Sequence, residues 1–224
     1  MLSGGRGPLR QVVAFARRAG VKVSFRTRDQ LTAMAGSPHH QGVVARVAQA
    51  EYADLDDLLA IPGSRGEPAL FLALDQVQDP RNLGALLRTA DALGVHGVIV
   101  PRHHAVGLSQ GAARAAMGAV EFVRVAREAN LVNALEILKK SGIWVYGAVA
   151  SGGAAPWNTD FTGAVCLVLG SEGEGLRPLV ARTCDALVTV PMSGHLSSMN
   201  VGAAGAILCY EARRQRMAKS HKSP

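Results

Sequence analysis

The sequence predicts an α/β fold, with a mostly parallel sheet and helices on both of its faces. From residue 69 onward, short apolar runs alternate with segments in which apolar residues recur at helical spacing. This alternation is typical of βαβ units, which build parallel sheets covered on both sides. Apolar residues make up 48% of the 224-residue chain, enough to form a buried core.

Strands and helices can be placed in order along this region. The apolar runs predict strands at 69–74, 97–100, 121–125, 143–149, 164–169 and 186–190. The helical patterns predict helices near 80–94, 108–116, 130–141, 175–183 and 197–215. At the start of the first helix, Asp79 can act as the N-cap and Pro80 is tolerated at the first helical position. Its buried stripe is expected to be Leu83, Leu86, Leu87, Ala90 and Gly94.

The residues before this region are predicted to form a separate, smaller α+β domain. We expect helices near 9–19 and 28–35, and strands near 21–25 and 42–48. Residues 61–68 hold two prolines and two glycines, which indicates a linker. The predicted division is therefore a first domain at 1–60, a linker at 61–68, a main domain at 69–217 and a basic tail at 218–224.

The net charge of +7 falls entirely within the first fifty residues. That segment has eight basic side chains and one acidic side chain, Asp29, whereas residues 51–224 are electrically balanced. A basic segment beside a neutral domain is typical of an RNA-binding arm, because neutralising phosphates releases counterions. The alternative is a basic surface that only favours solubility. The candidate RNA contacts here are Arg17, Arg18, Arg26 and Arg28.

The composition also argues against several classes of protein. No apolar run approaches the roughly 20 residues of a membrane helix, and no secretory signal is evident, so we expect a soluble cytoplasmic protein. Cys166, Cys184 and Cys209 are too widely spaced for a disulfide framework or a zinc site, and Cys166 and Cys209 are interpreted as core residues. The histidine pairs 39–40 and 103–104 are expected at the surface, because neighbouring side chains of an extended chain point to opposite faces. No metal site is predicted.

The first candidate functional segment is Asp79-Pro-Arg-Asn-Leu-Gly-Ala-Leu-Leu-Arg88. Arg81, Gly84, Arg88 and Asp91 share one face of the predicted helix. We expect Gly84 to leave the surface between the two arginines bare, so that a phosphate or a ribose can approach closely. The alternative is an ordinary solvated face with an Arg88–Asp91 ion pair.

The second segment, Leu169-Gly-Ser-Glu-Gly-Glu-Gly-Leu176, follows a predicted strand and precedes a helix. Glycines at such a position let backbone N–H groups approach a ligand. A dinucleotide-binding loop would require Gly-x-Gly-x-x-Gly and an acidic residue about 20 residues later, and this spacing differs. Glu172 could alternatively cap the following helix.

The third segment is Val190-Pro-Met-Ser-Gly-His-Leu-Ser-Ser-Met-Asn-Val201, which leads into the small residues Gly202-Ala-Ala-Gly-Ala206. Small side chains permit close backbone packing. This packing could serve a dimer contact, a threaded segment or simply the core.

In this order, the three segments resemble the three motifs of the SPOUT-class RNA ribose 2′-O-methyltransferases, knotted enzymes that use S-adenosylmethionine. The similarity extends over roughly two-thirds of the chain and is closest to bacterial enzymes that methylate a guanosine of 23S rRNA. It implies a trefoil knot near the C-terminus and a homodimer that completes the active site. Residues 40–46 are similar to the second half of a ribosomal-protein-like RNA-binding domain, so the first domain is expected to be truncated.

The resemblance also implies roles for individual residues, with no metal among them. The catalytic group would be Asn82, Arg88, Glu172, Ser198 and Asn200. The cofactor-binding group would be Leu169, Gly170, Glu172, Val190, Met192 and Met199. Arg81 and Arg88 would contact RNA together with the arginines of the first domain.

The reaction that the resemblance implies is methyl transfer from S-adenosylmethionine to a ribose 2′-hydroxyl, with a guanosine in 23S rRNA as the expected target. Because arginine stays protonated, we expect Arg88 to bind the adjacent phosphate rather than act as a general base. The alternative substrates are tRNA and an antibiotic-resistance site on the ribosome. The alternative functions are a noncatalytic RNA-binding protein of ribosome assembly and a nicotinamide-dependent oxidoreductase. The glycine spacing disfavours the oxidoreductase.

Overall fold

The computed structural model describes residues 7–46 and 51–220. The chain divides into two units, residues 1–49 and 50–224. The larger unit is built on a parallel sheet whose strands are β1 (Leu70–Leu74), β2 (Gly97–Pro101), β3 (Val125–Glu128), β4 (Trp144–Ala148), β5 (Val165–Leu169) and β6 (Ala186–Val188). Their order across the sheet is β3-β2-β1-β5-β4-β6 and every neighbouring pair is parallel. The predicted α/β class and the mostly parallel sheet are confirmed.

The helices of this unit are α3 (Leu55–Arg65), α4 (Pro80–Ala92), α5 (Gln110–Ala116), α6 (Leu131–Lys140), α7 (Pro178–Thr183) and α8 (Val201–Ser220). They cover both faces of the sheet. On one face, Leu70, Leu72 and Leu74 pack in a single apolar cluster with α4, α5 and α8. On the other face, Phe71 and Ala73 pack with α3, α6 and α7. This alternation follows from the two-residue period of a strand, and full burial of each leucine contributes roughly 1.5–3 kcal/mol.

One strand lies further along the chain than predicted. The pattern favours 121–125, but β3 begins at Val125, where pairing with Val98 of β2 begins. Ala119–Glu121 form a short 3₁₀ helix, and Phe122, which the pattern places in a buried strand, is exposed. The apolar run therefore includes a surface residue that periodicity alone does not distinguish from a core residue.

The predicted linker at 61–68 is wrong over most of its length. Helix α3 extends to Arg65 and includes Pro62, and Gly66 ends it in the left-handed conformation at φ 64°. Leu58 is fully buried in the second cluster, so packing stabilises the helix despite the proline. The larger unit therefore begins near residue 50, before the predicted boundary at 60.

The smaller unit is helical in the residues that the structure describes. Helix α1 is Pro8–Arg18 and helix α2 is Arg28–Ala35, which begins with a capping box between Thr27 and Gln30. The predicted strand at 21–25 is absent, and residues 43–46 are not in a strand either; residues 47–48 lie outside the described part of the chain. A strand needs a hydrogen-bonded neighbour, and residues 7–46 provide none.

The C-terminal boundary also differs from the prediction. Helix α8 continues to Ser220, so residues 218–220 of the predicted tail are helical, and residues 221–224 lie outside the described part. Across the described ranges, none of the helices has the length and apolar character needed to cross a bilayer.

Candidate functional site

The three motif segments follow strands β1, β5 and β6. Strands β1 and β5 are neighbours in the centre of the sheet, so the segments after them meet at its carboxyl edge. Ligands of open α/β sheets bind at this edge. Asp79 caps α4 as predicted, accepting a hydrogen bond from the backbone N–H of Arg81 at 2.8 Å, and Pro80 occupies the first turn.

The side chain of Asn200 joins all three segments. Its Nδ2 donates to Asn82 Oδ1 at 3.0 Å and also to Glu172 Oε1. Its Oδ1 accepts from the backbone N–H of Gly202 at 2.9 Å and of Ala203 at 3.2 Å. One amide thus links α4, the turn after β5 and the start of α8. Sequence reasoning selects these three side chains, and the structure brings them together.

Glu172 lies in a turn that closes tightly on itself. Ser171 and Gly175 exchange backbone hydrogen bonds of 3.0 and 3.1 Å. A Cβ on Gly170 would lie 2.1 Å from the carbonyl carbon of Gly175, so only glycine permits this approach. Helix α7 begins at Pro178 and no side chain caps it, so Glu172 does not have the alternative capping role.

A buried carboxylate that sequence reasoning missed holds this turn in place. Asp75 is fully buried at the end of β1. Its Oδ1 lies 2.7 Å from both Nε and Nη2 of Arg177, and its Oδ2 accepts from the backbone N–H of Arg177 at 2.8 Å. An acidic residue directly after an apolar strand was the available signal, but its partner lies 102 residues away in sequence.

The third segment has backbone groups free to bind a ligand. Within the described chain, residues 190–199 form no hydrogen bond through either backbone or side chain. Val190, Met192 and Met199 are nevertheless half-buried. Backbone N–H and C=O groups without a protein partner are available to hydrogen-bond a ligand.

Apolar contacts place this segment next to the end of β5. Leu169 is buried, and Val190 packs against the same cluster. Behind them, a Cβ on Gly205 would lie 2.4 Å from Leu86 and 2.9 Å from Leu169. At this position, the small residues of α8 therefore serve core packing within one chain.

These residues are compatible with S-adenosylmethionine. Val190, Met192 and Met199 are half-buried apolar side chains beside residues 190–199, whose backbone groups have no hydrogen-bond partner among the described residues, and Leu169 and Gly170 are buried at the end of β5. Binding of an adenine in this way requires no aromatic side chain and no metal. Among the described residues, no group of three or more histidine, cysteine or acidic side chains could hold a metal ion.

The remaining candidates lie at the surface. Arg88 and Ser198 are exposed, and neither side chain forms a hydrogen bond within the described residues. Arg81 is paired with Asp79 at 2.8 Å, and its hydrogen bonds lower the pKa of that carboxyl group. Arg17, Arg18, Arg26 and Arg28 are all exposed in the smaller unit. His195 is exposed as well.

The interpretation of Gly84 is wrong. Its missing side chain faces helix α5, where a Cβ would lie 2.3 Å from that of Ala115. Gly84 therefore brings α4 and α5 together and does not expose a surface to RNA. The predicted stripe of Leu83, Leu86, Leu87 and Ala90 is buried, whereas Gly94 is only half-buried.

Cys166 and Cys209 are buried core residues, as expected, and all three cysteines are free. Burial raises the pKa of the Cys209 thiol to about 12, and also raises that of Cys166. His103 and His104 are exposed, whereas His40 is half-buried and contacts Thr32 at 3.3 Å. The expected surface position is therefore only partly correct for His40.

Comparison with known proteins identifies the family. Residues 69–210 match the SpoU rRNA Methylase family, and residues 2–53 match the RNA 2′-O ribose methyltransferase substrate binding family. The chain is 43% identical over 202 residues to the 23S rRNA (guanosine-2′-O-)-methyltransferase RlmB of Ralstonia nicotianae, covering 90% of this chain and 80% of that protein.

Two solved structures are similar to the chain. The AdoMet-bound rRNA methyltransferase from Sinorhizobium meliloti superposes with a TM-score of 0.72 at 28% identity, over 92% of this chain and 77% of that one. The SpoU methyltransferase AviRb from Streptomyces viridochromogenes, in complex with AdoMet, gives a TM-score of 0.63 at 32% identity. The match covers 68% of this chain and 59% of that one. The motif segments, their meeting point and these matches together show that the chain belongs to the SpoU rRNA methylase family.

Proposed function

We propose that this chain transfers a methyl group from S-adenosylmethionine to a ribose 2′-hydroxyl of ribosomal RNA. The observation that carries the proposal is the Asn82–Asn200–Glu172 hydrogen-bonded group. It joins the three motif segments at the edge of the sheet where ligands bind. An amide that makes four hydrogen bonds is suited to fix the geometry of two loops and a helix at once.

The cofactor would lie between the turn after β5 and residues 190–199. Leu169, Gly170, Val190, Met192 and Met199 would contact it, and Glu172 would hold the turn closed. When bound, S-adenosylmethionine supplies the electrophilic methyl group. The chain then has to exclude water and align the ribose hydroxyl.

Arg88 would bind the RNA phosphate beside the target ribose. Its guanidinium is exposed and has no partner among the described residues. Since arginine stays protonated, Arg88 would stabilise charge developing on the 2′-oxygen without accepting the proton. Ser198, which is also exposed, would position the ribose, and a phosphate oxygen or water would take the proton.

The basic smaller unit would bind the RNA. Its match to a substrate-binding family and its exposed Arg17, Arg18, Arg26 and Arg28 support this role. Arg81 would contribute an additional contact from the larger unit. We propose a cytoplasmic location, where ribosomal RNA would be modified.

The proposed target is a guanosine of 23S rRNA. Relatives from Ralstonia nicotianae and Coxiella burnetii, 43% and 40% identical to this chain, are named as methyltransferases for this nucleotide. A tRNA target is less favoured by these names. We further propose the C-terminal trefoil knot and a homodimer for this chain, on the same family grounds.

A mapping experiment tests the proposal. RNA from cells with and without the gene is compared for 2′-O-methyl marks, and the purified chain is then assayed on a 23S rRNA transcript. We expect a mark on one guanosine that depends on the gene and is restored in vitro. A noncatalytic RNA-binding protein would leave the marks unchanged and would give no heat on titration with S-adenosylmethionine.

A further inference from the structure

A groove of about 610 Å³ lies beside Arg88. One of its walls is formed by Arg88 and Asp91 of α4, and the other by Met117 and Phe122 from the segment after α5. Phe122 is 73% exposed and Met117 is 75% exposed. A large aromatic side chain facing solvent next to the proposed catalytic arginine has no role in the core.

The packing of α4 against α5 shapes this groove. Because Gly84 lacks a side chain, α4 lies close to the backbone of Ala115 and Ala116. Small residues, among them Ala85 and Ala119, also line the groove. Small side chains fill less of the space between the two walls than large ones would.

The turn that carries the aromatic wall is held in an uncommon conformation. Met117 ends α5 in the left-handed region at φ 48°, and Gly118 follows at φ 94°. A non-glycine residue in this region carries a conformational cost. Residues in such conformations are concentrated at functional sites. The turn brings Phe122 to the same groove as Arg88.

Two charged side chains, Asp91 and Arg88, line the groove and determine which ligands can bind there. Asp91 is exposed, and its carboxylate accepts no hydrogen bond from the described residues. No ion pair joins it to Arg88 in the part of the chain that the structure describes, so the alternative pairing suggested by the sequence is absent and both groups can serve a ligand. A carboxylate can accept from the N1–H and the 2-amino group of guanine, an edge that adenine does not present.

We propose that this groove receives the target guanine base, with Phe122 stacked on its face and Asp91 binding its Watson–Crick edge. RNA-binding proteins read unpaired bases in this way, by stacking on an aromatic side chain and hydrogen bonding to the exposed edge. Arg88 in the same groove then lies next to the ribose and phosphate of that nucleotide. The inference rests on the proposed function and assigns base selection to Phe122 and Asp91.

The test uses a synthetic RNA stem-loop centred on the nucleotide that the mapping experiment identifies, with guanosine, inosine or adenosine at the target. Phe122→Ala is expected to lower kcat/KM for guanosine by about tenfold or more, whereas Phe122→Trp keeps most of it. The matched control is Trp157→Ala, which removes another exposed aromatic side chain outside the groove. Affinity for S-adenosylmethionine should be the same in all of these variants.

Inosine isolates the role of Asp91, because it lacks only the 2-amino group of guanosine. The wild-type chain should prefer guanosine over inosine by about tenfold, and Asp91→Ala should remove most of this preference. Equal guanosine-to-inosine ratios in wild type and Asp91→Ala would overturn the inference, as would a mapped target other than guanosine.

The remaining outcomes distinguish base binding from self-association and from an inactive protein. If Phe122→Ala changes the sedimentation of the protein, the groove holds a second copy of the chain and the inference is wrong. If the wild-type chain methylates no ribose, the proposed function fails and this inference fails with it. If the wild type is active and Phe122→Ala equals it, only the inference is overturned.

Discussion

The carboxylate of Asp75 lies 2.7 Å from the guanidinium of Arg177, across 102 residues of sequence. Asp75 is fully buried, whereas the side chain of Arg177 is 42% exposed. The pair connects the end of β1 to the end of the turn that contains Glu172. It therefore holds the end of that turn through contacts separate from the Asn200 hydrogen bonds.

Replacing this carboxylate should destabilise the protein and loosen the turn. Asp75→Asn leaves Arg177 without its charged partner, and we expect a loss of about 2–3 kcal/mol in the free energy of unfolding. Affinity for S-adenosylmethionine should fall as well, because the turn forms one side of its proposed site. Urea unfolding and calorimetry measure the two effects. As the control, Arg81→Gln removes one member of an exposed pair and should leave both quantities close to wild type.

The Asn200 amide can be tested by exchanging charges. Asn200→Asp places a second carboxylate against Glu172, and we expect at least a tenfold loss of S-adenosylmethionine affinity, on the order of 1.4 kcal/mol. Adding Glu172→Gln supplies a donor again and should restore part of that affinity. Calorimetry on the single and double variants gives the coupling energy directly. Strictly additive losses would mean that the two side chains do not act together.

The motif residues are predictable because each motif is local in sequence. The segments after β1, β5 and β6 are contiguous runs, and strand pairing in a parallel α/β sheet brings the ends of β1 and β5 together. The resemblance to the family's motifs therefore selects Asn82, Glu172 and Asn200 before their contacts are known, although Asn82 and Asn200 lie 118 residues apart. The Asp75–Arg177 pair is not selected in this way, because neither residue lies within the three motif segments.

The errors of the sequence interpretation have a common physical cause. From local sequence alone, Gly84 is expected to face solvent, because the local sequence does not indicate where α5 packs. In the structure, α5 covers Gly84. Pro62 locally favours a linker, but Leu55 and Leu58 bury the helix that contains it. In these cases, packing outweighs local conformational preference.

Arg88 should respond differently to substitution by lysine and by alanine. Arg88→Ala removes the cation that we propose lies beside the ribose, and we expect methylation to fall by about 10²–10³-fold with little change in S-adenosylmethionine affinity. Arg88→Lys keeps a point charge and should retain measurable activity if charge is what matters. Single-turnover assays on the mapped RNA measure both. Full activity of Arg88→Ala would exclude Arg88 from the reaction.

Because His96 is buried, we expect the free energy of unfolding to decrease in mild acid. The ring is 2% exposed, and its Nδ1 accepts from the backbone N–H of Leu70 at 3.0 Å. Burial lowers its pKa from the ordinary value of 6.5; Arg65 and, more weakly, Arg216 lower it further, while Glu67 opposes the shift. The unfolded chain therefore takes up a proton at a higher pH than the folded chain does. Stability should decrease as the pH falls through 6.5 toward the lower folded-state pKa.

The measurement compares the free energy of unfolding at neutral and mildly acidic pH. In His96→Gln, which can still accept from Leu70, this part of the pH dependence should disappear. His103→Gln, at an exposed position, should keep the wild-type dependence. The same dependence in wild type and His96→Gln would assign the acid sensitivity to other groups.

Two helical glycines should respond in opposite ways to the same substitution. At Gly84, a Cβ would lie 2.3 Å from that of Ala115 and 2.8 Å from the backbone of Ala116, so Gly84→Ala forces α4 and α5 apart. We expect this to cost about 1–3 kcal/mol, even though alanine is the better helix former. At Gly63 in α3 no atom lies within 4 Å, so Gly63→Ala should gain up to about 1 kcal/mol.

The same pair of variants separates stability from function. Displacing α4 from α5 widens the groove beside Arg88, so Gly84→Ala should lower methylation even at temperatures where the protein remains folded. Gly63→Ala should leave methylation unchanged, because α3 packs on the opposite face of the sheet from α4. Thermal unfolding monitored by circular dichroism, together with assays well below the transition, distinguishes the two effects. A stable Gly84→Ala variant with full activity would show that α4 and α5 can separate without cost to the site.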